Sequence, residues 1–361
     1  MNKVWTTALV SVITMLGLLV ACAAPATTPT AAPAPAQPAA PAPAAPPTAP
    51  TAAPATPQPA AKPSGQQALL TWATASSGGA GYTYSAAIAS IVGKYQPEIK
   101  ISVLPTAGAV DATKLLREGK AQIALGTGPS DYDALNGSGG FADGKMANLR
   151  LLWPGYTGPL HMVTLKTSGI QTLADLKGQR IAVSQLGSTG YIMAENALKS
   201  VGLTAKDVTL RPLSAQDMIS AIKDGSAAAM LYSIGKNAPT IQDLAVSKEI
   251  RFIDLTDEQW NVVKAANPPG LFAPDAIPAG TYPNQDKPAK TFTVLAGWDV
   301  LADFDENLAY TITKTFFDHK AEADQIHPII KETTPQMIGG PQILTYHKGA
   351  ERYLKETGWL K

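Results

Sequence analysis

The sequence predicts an α/β protein made of two successive sets of strand and helix units, carried behind an N-terminal segment with no core of its own. Three observations point there. Beyond Gly65, short apolar runs alternate with stretches of helical periodicity. Loops of small residues recur between a strand and the next helix, and no repeat of fixed length interrupts the alternation.

The strands and helices follow in order. Leu69–Ala73 reads as a strand, and Ala87, Ile88, Ile91, Val92 and Tyr95 then recur at helical spacing. Ile99, Ile101 and Val103 alternate as a second strand. Val110 to Glu118 is a helix closed by Gly119, Gln122–Leu125 a third strand and Leu149–Trp153 a fourth. A second set begins near Met162, with strands at Arg180–Val183, Val208–Leu210, Ala228–Tyr232 and Arg251–Ile253. Thr172, Ser214 and Thr256 are N-cap residues with Asp175, Asp217 and Gln259 three positions on, and Gly202 and Gly225 stand where helices stop. Lys290–Leu301 is apolar and extended. Helices follow at Glu306–His319, Asp324–Ile330 and Lys348–Glu356.

The N-terminal segment is of a different kind. Lys3 precedes an apolar stretch, Ala8 to Val20, broken only by Ser11, Thr14 and Gly17, and Leu19-Val20-Ala21-Cys22 has the form of a lipobox. Residues 1–22 therefore read as a lipoprotein signal peptide with Cys22 as the lipidated residue. The alternative is an uncleaved signal anchor, since the stretch approaches the roughly 20 residues that span a bilayer. Both put the domain outside the cytoplasm, on the outer face of the cytoplasmic membrane. Residues 23–65 are almost entirely Ala, Pro and Thr, without charge until Lys62. Such a tether has nothing to bury, and at roughly 3.1 Å per residue it reaches on the order of 130 Å.

Composition narrows the function. The 29 basic and 28 acidic residues leave a net charge of +1, so no global field recruits nucleic acid. The single cysteine excludes a disulfide framework and a cysteine-based zinc site. His161, His319, His327 and His347 show no metal-ligand spacing, and no Walker loop, Gly-x-Ser-x-Gly elbow, His-Glu-x-x-His or dinucleotide fingerprint is present. Neither an enzyme nor a cofactor is expected.

Four loops carry the chemistry: Ser76-Ser77-Gly78-Gly79-Ala80-Gly81, Thr106-Ala107-Gly108, Gly126-Thr127-Gly128 and Gly187-Ser188-Thr189-Gly190. In open α/β sheets, ligands bind beyond the carboxyl ends of strands, where such turns expose backbone N–H groups and helix N-termini that favour anions. The candidate ligand-binding residues are Ser76, Ser77, Gly79, Tyr82, Thr127, His161, Gly187, Ser188, Thr189 and Ser233. Each has an ordinary reading beside it. Ser77 and Thr189 also suit helix caps, His161 between Leu160 and Met162 also suits a buried structural histidine, and Tyr82 and Tyr84 also suit packing on the first helix. Lys236, after the Met230–Ser233 strand, is a possible countercharge or a solvated lysine.

The order of these landmarks resembles the TAXI family of extracytoplasmic receptors for TRAP transporters, from about Ala68 to Lys361. Ser77–Tyr82 is similar to that family's Gly-Gly-Thr-Tyr-Tyr segment, and Gly108–Asp111 with Leu116–Gly119 to its Gly-Ser-Val-Glu motif and helix. Leu152–Pro154 with Pro159–His161, Asp175–Arg180, Gly187–Gly190, Pro278–Pro283 and His347–Tyr353 complete the series. The resemblance implies a type II periplasmic-binding-protein fold, with a ligand cleft between two α/β lobes joined by crossing hinge strands. Residues 66–160 with 287–361 form lobe I and residues 161–286 lobe II. It further implies a monomeric receptor that delivers glutamate, a related carboxylate or an amino acid to a TRAP permease driven by an ion gradient. Gly81 replaces one of the paired tyrosines, Ala109 the serine, and Thr127-Gly128-Pro129 a frequent Gln-Ser-Asp, so a smaller or less polar carboxylate also fits. The alternatives are a receptor of an ATP-driven (ABC) importer of sulfonates, nitrate or pyrimidine-like solutes, and a sensory binding receptor.

Overall fold

A computed structural model describes residues 67–361; the signal peptide, Cys22 and the tether lie outside the described residues. The first sheet opens with parallel strands β1 (Ala68–Thr74), β2 (Ile99–Pro105) and β3 (Ile123–Thr127). Each runs into a helix: α1 (Ala80–Tyr95), α2 (Ala109–Arg117) and α3 (Gly128–Asn136). Strand β4 (Leu149–Thr157) then passes through Gly158 and Pro159 into β5 (Leu160–Leu165), the first strand of the second sheet. There β6 (Arg180–Ser184), β7 (Thr209–Leu213) and β8 (Ala229–Ser233) are parallel and alternate with α4 (Thr189–Lys199), α5 (Ala215–Lys223) and α6 (Pro239–Ser247). β9 (Ile250–Phe252) and α7 (Asp257–Ala265) follow, then the antiparallel pair β10 (Ala273–Ile277) and β11 (Ala289–Thr293). After Val294 alone, β12 (Leu295–Leu301) re-enters the first sheet, and α8 (Glu306–Asp318), α9 (Lys320–Ile326), α10 (Pro335–Ile338) and α11 (Lys348–Glu356) close the chain.

The two sheets share one plan. The orders are β2-β1-β3-β12-β4 and β7-β6-β8-β5-β9, and in each the fourth strand runs antiparallel to both neighbours. That strand is β12 in the first sheet and β5 in the second, the two places where the chain passes from one sheet to the other. The architecture is an α/β fold with two mixed five-stranded sheets. No helix among the described residues is long and apolar enough to cross a membrane.

Some element limits differ from the sequence expectation for physical reasons. The helix expected over Asp324–Ile330 stops at Ile326, because Pro328 lacks an N–H and clashes with a preceding helical turn; Pro328–Glu332 continues as a 3₁₀ turn. Thr172 and Asp175 do form a capping box, but over a 3₁₀ turn, Leu173–Leu176. Strand β4 continues beyond Trp153 to Thr157 and thereby carries Tyr156 to the sheet's end.

Packing follows strand periodicity. In the second sheet Met162, Ile181, Val183 and Leu231 face one hydrophobic cluster, while Val163, Ala182 and Met230 face another, as the two-residue alternation of a strand demands. The first lobe is built on aromatics. Trp72 and Trp298 meet edge to face at 5.2 Å, Tyr84 lies 5.0 Å from Trp298, and Phe316 of α8 stacks on Trp153 at 5.0 Å. These side chains are fully buried. Phe316 joins α8 to the sheet at the centre of this cluster, so Phe316→Ala is expected to lower stability by about 3–5 kcal/mol, read from chemical denaturation.

Candidate functional site

The carboxyl ends of both sheets face a cavity of about 80 Å³. Five helix starts border it. From the first sheet come Gly79, Ala80 and Gly81 at α1, Gly108 and Ala109 at α2, and Thr127 at α3; from the second come Ser188, Thr189 and Gly190 at α4, and Ala215 at α5. Neither Gly79 nor Gly108 supplies a side-chain cap, so the first N–H groups of α1 and α2 have no side-chain oxygen at the N-cap to receive them. No Lys, Arg, His, Asp or Glu lines the cavity. Its polar groups are hydroxyls and the amide of Gln185.

Four of the hydroxyls, those of Ser76, Ser184, Tyr156 and Tyr232, have no protein partner among the described residues. Ser184 ends β6, is 6% exposed, and its buried Oγ makes no hydrogen bond. A Cβ at Gly190 would overlap that oxygen, so glycine is what leaves room for it. Tyr156 and Tyr232 also line the cavity, and no protein group bonds either hydroxyl among the described residues. Burial raises the pKa of both, which keeps them as neutral donors.

The two sides already touch. Thr127 and Thr189 share a hydrogen bond of 2.5 Å between their hydroxyls. The Val110 N–H donates to the Gly187 carbonyl at 3.2 Å. A Cβ on Gly108 would lie 2.6 Å from the Ser188 Cα, and one on Gly78 would lie 3.3 Å from Ala215. The structure is thus a closed arrangement, held by glycine turns that let the two backbones approach.

Of the residues singled out from the sequence, Ser76, Gly79, Thr127, Ser188, Thr189 and Ser233 line the cavity. Several of their hydroxyls are already engaged. The Ser188 Oγ donates to the Gln185 carbonyl at 2.6 Å and accepts from the Tyr191 N–H, and the Ser233 Oγ donates to the Gly158 carbonyl at 2.8 Å. The other four lie outside the lining. Ser77 is exposed and Tyr82 half-buried elsewhere on α1. Gly187 sits at the outer rim with φ +81°, against Asp111. His161 is fully buried in β5, where Nδ1 meets the Pro159 carbonyl at 3.1 Å and Nε2 the Tyr282 hydroxyl at 2.8 Å. Burial pushes its pKa down to about 4, so it is a neutral structural imidazole. Lys236 is paired with Asp275 at 2.8 Å and does not border the cavity.

Sequence reasoning passed over Ser184, Tyr156 and Tyr232. All three stand at or next to the carboxyl end of a strand, which is the signal that could have found them. Among the described residues, no group of three or more His, Cys, Asp or Glu is placed to hold a metal ion.

The chain is similar to the alkanesulfonate-binding protein SsuA of Xanthomonas axonopodis pv. citri bound to MOPS, with 17% identity, TM-score 0.44, and coverage of 81% of this chain and 85% of that one. It is similar to the periplasmic aliphatic sulphonate-binding protein SsuA of Escherichia coli, at 18% identity, TM-score 0.41, and 80% and 84% coverage. A putative L-cystine ABC transporter from Listeria monocytogenes matches at 12% identity, TM-score 0.43, and 74% and 95% coverage. These are likenesses of fold. The profile of the NMT1-like family matches residues 72–358, nearly the whole described region, and the chain accordingly belongs to the NMT1-like family.

Proposed function

We propose that the protein is an extracytoplasmic receptor that holds a small organic anion between its two sheets and presents it to a membrane importer. The observation that carries this is the meeting of five helix N-termini and four unpartnered hydroxyls around one cavity with no charged side chain. Each helix start contributes roughly half a positive charge and free N–H donors, which suits a carboxylate or sulfonate head. The volume favours few atoms. About 80 Å³ is roughly half of an engineered 150 Å³ cavity that accepts benzene, so a small monoacid fits the closed form better than glutamate does.

In this reading residues 66–160 with 287–361 and residues 161–286 act as two lobes that hinge at Gly158-Pro159 and at Val294, and the ligand favours the closed state. Ser184, Tyr156, Tyr232 and Thr127 are its side-chain contacts, with the N–H groups at Ala80, Gly81 and Ala109. Lipidation at Cys22 and the tether of residues 23–65 keep the receptor at the membrane. For the partner, NMT1-like membership supports the ATP-driven importer alternative. The TRAP permease rests on the landmark motifs alone.

Thermal melting against a panel of small carboxylates and sulfonates, with neutral amides of matched size, tests the ligand class. A bound anion raises stability by RT ln(1 + [L]/Kd), and a panel in which only the amides shift the melting temperature removes the anion reading. Ser184→Ala is expected to weaken binding about five- to tenfold while leaving the ligand-free melting point equal or slightly higher, because an unpaired buried hydroxyl is removed. Gly108→Ala places a Cβ against Ser188, so ligand should no longer compact the protein in small-angle scattering, although the free form still melts cooperatively. Deletion should abolish uptake of the identified anion, and uptake that survives a protonophore but not ATP depletion marks the ATP-driven class.

A further inference from the structure

We infer that the cleft binds its anion together with a proton held by the buried pair Asp131 and Asp299, an inference that rests on the anion reading above. Asp299 lies on β12 opposite Ala124 of β3 and is fully buried; Asp131 lies in the first turn of α3 and is 7% exposed. Their carboxyls converge over Gly126. A Cβ there would overlap Asp299 Oδ2 and stand 2.6 Å from Asp131 Oδ1. Neither oxygen of Asp299 has a donor among the described residues. The bond the two carboxyls can make with each other needs a proton between them.

The surroundings supply no alternative. Asp131 accepts from the Thr127 N–H at 3.1 Å and from the Ser130 hydroxyl at 3.0 Å, and β4 sets Leu151 opposite Asp299. No Lys, Arg or His among the described residues acts on either carboxyl. Two negative charges in one buried, cation-free place repel each other strongly, so the pair keeps a proton through neutral pH. Burial pushes Asp131 up to about 7, and burial with the neighbouring carboxyl pushes Asp299 well above the ordinary carboxylate range.

The pair stands directly behind the cavity wall. Thr127, whose N–H holds Asp131, lines the cavity and bonds Thr189 across the closed lobes. An anion seated there repels an ionised pair and favours a protonated one, so binding draws in a proton whenever the pair is partly ionised. Asp131 also borders a second cavity of about 300 Å³, lined by Gly128, Thr157, Leu271 and Gln342 among others, which gives solvent protons a way to reach it. No step in this coupling breaks or forms a bond other than the O–H bond of the pair.

Methanesulfonate is the probe, because it stays ionised throughout the range. Its Kd should rise about tenfold between about pH 6 and about pH 9, and calorimetry in buffers of different ionisation enthalpy should record uptake of a fraction of one proton near neutrality. Asp299→Asn offers an amide donor in place of the shared proton and should make both readings flat; Asp131→Asn is the second variant if the first folds poorly. Ligand-free melting reads the pair by itself. Both carboxyls have raised pKa values, so the stability they give at acid pH is lost as pH climbs from the ordinary carboxylate range through about 7 and beyond, and less so in the variant. A flat Kd in the unmodified protein, a slope retained in both variants, or a dependence on sodium at fixed pH instead of on protons overturns the coupling. A pH-dependent difference in melting with no ligand shift at any pH overturns the anion reading, and the coupling with it.

Discussion

Two backbones must come within van der Waals reach of each other for this cleft to close, and the turns at which they do so tolerate almost no side chain. Gly108 faces the Ser188 Cα, Gly78 faces Ala215, and Gly190 leaves space for the Ser184 hydroxyl. Everything polar about the site follows from that proximity. Helix starts from both sheets can act on one ligand only because no side chain stands between them. The glycine content of the loops is thus electrostatic in its effect, since it brings backbone dipoles to short range in place of a lysine or arginine.

A site without fixed charge also behaves differently from an ion pair. A buried arginine would keep its charge in the empty state and would need a partner there. Dipoles at helix ends and neutral hydroxyls carry a smaller penalty when unliganded. The uncapped starts of α1 and α2 fit this, because a side-chain cap would compete with the ligand for the same N–H groups.

The sequence made the class of fold and most of its elements legible, because strands with apolar alternation and helices with clear caps announce themselves locally. Thr256 with Gln259 and Ser214 with Asp217 cap α7 and α5 as their spacing suggests. The loops were legible for the same reason, and Ser76, Gly79, Thr127, Ser188, Thr189 and Ser233 came together at one cavity. What was hidden is orientation. His161 attracted notice as a polar residue among apolar ones, yet its place in β5 turns it towards Phe252 and Tyr282, where it is satisfied within the second lobe. Ser184, Tyr156 and Tyr232 look like ordinary strand residues until the sheet order shows which strand ends share a face.

Asp131 and Asp299 were illegible for a stronger reason: they are 168 residues apart by number and meet only because β12 returns from the second lobe to pair with β3. That same return places one of the two crossings beside the pair, since β12 begins directly after Val294, itself a lining residue of the cavity. A carboxyl pair elsewhere in the first lobe would be a matter of stability alone. Here it shares a strand with one crossing and a hydrogen bond with the threonine that spans the lobes, so a change in its charge acts on an element that joins the two sheets. Two buried acids with no cation would otherwise be a poor choice for a core, where an apolar pair of similar size packs at lower cost. Their position between crossing strand and cleft wall is what makes a functional reading stronger than an accidental one.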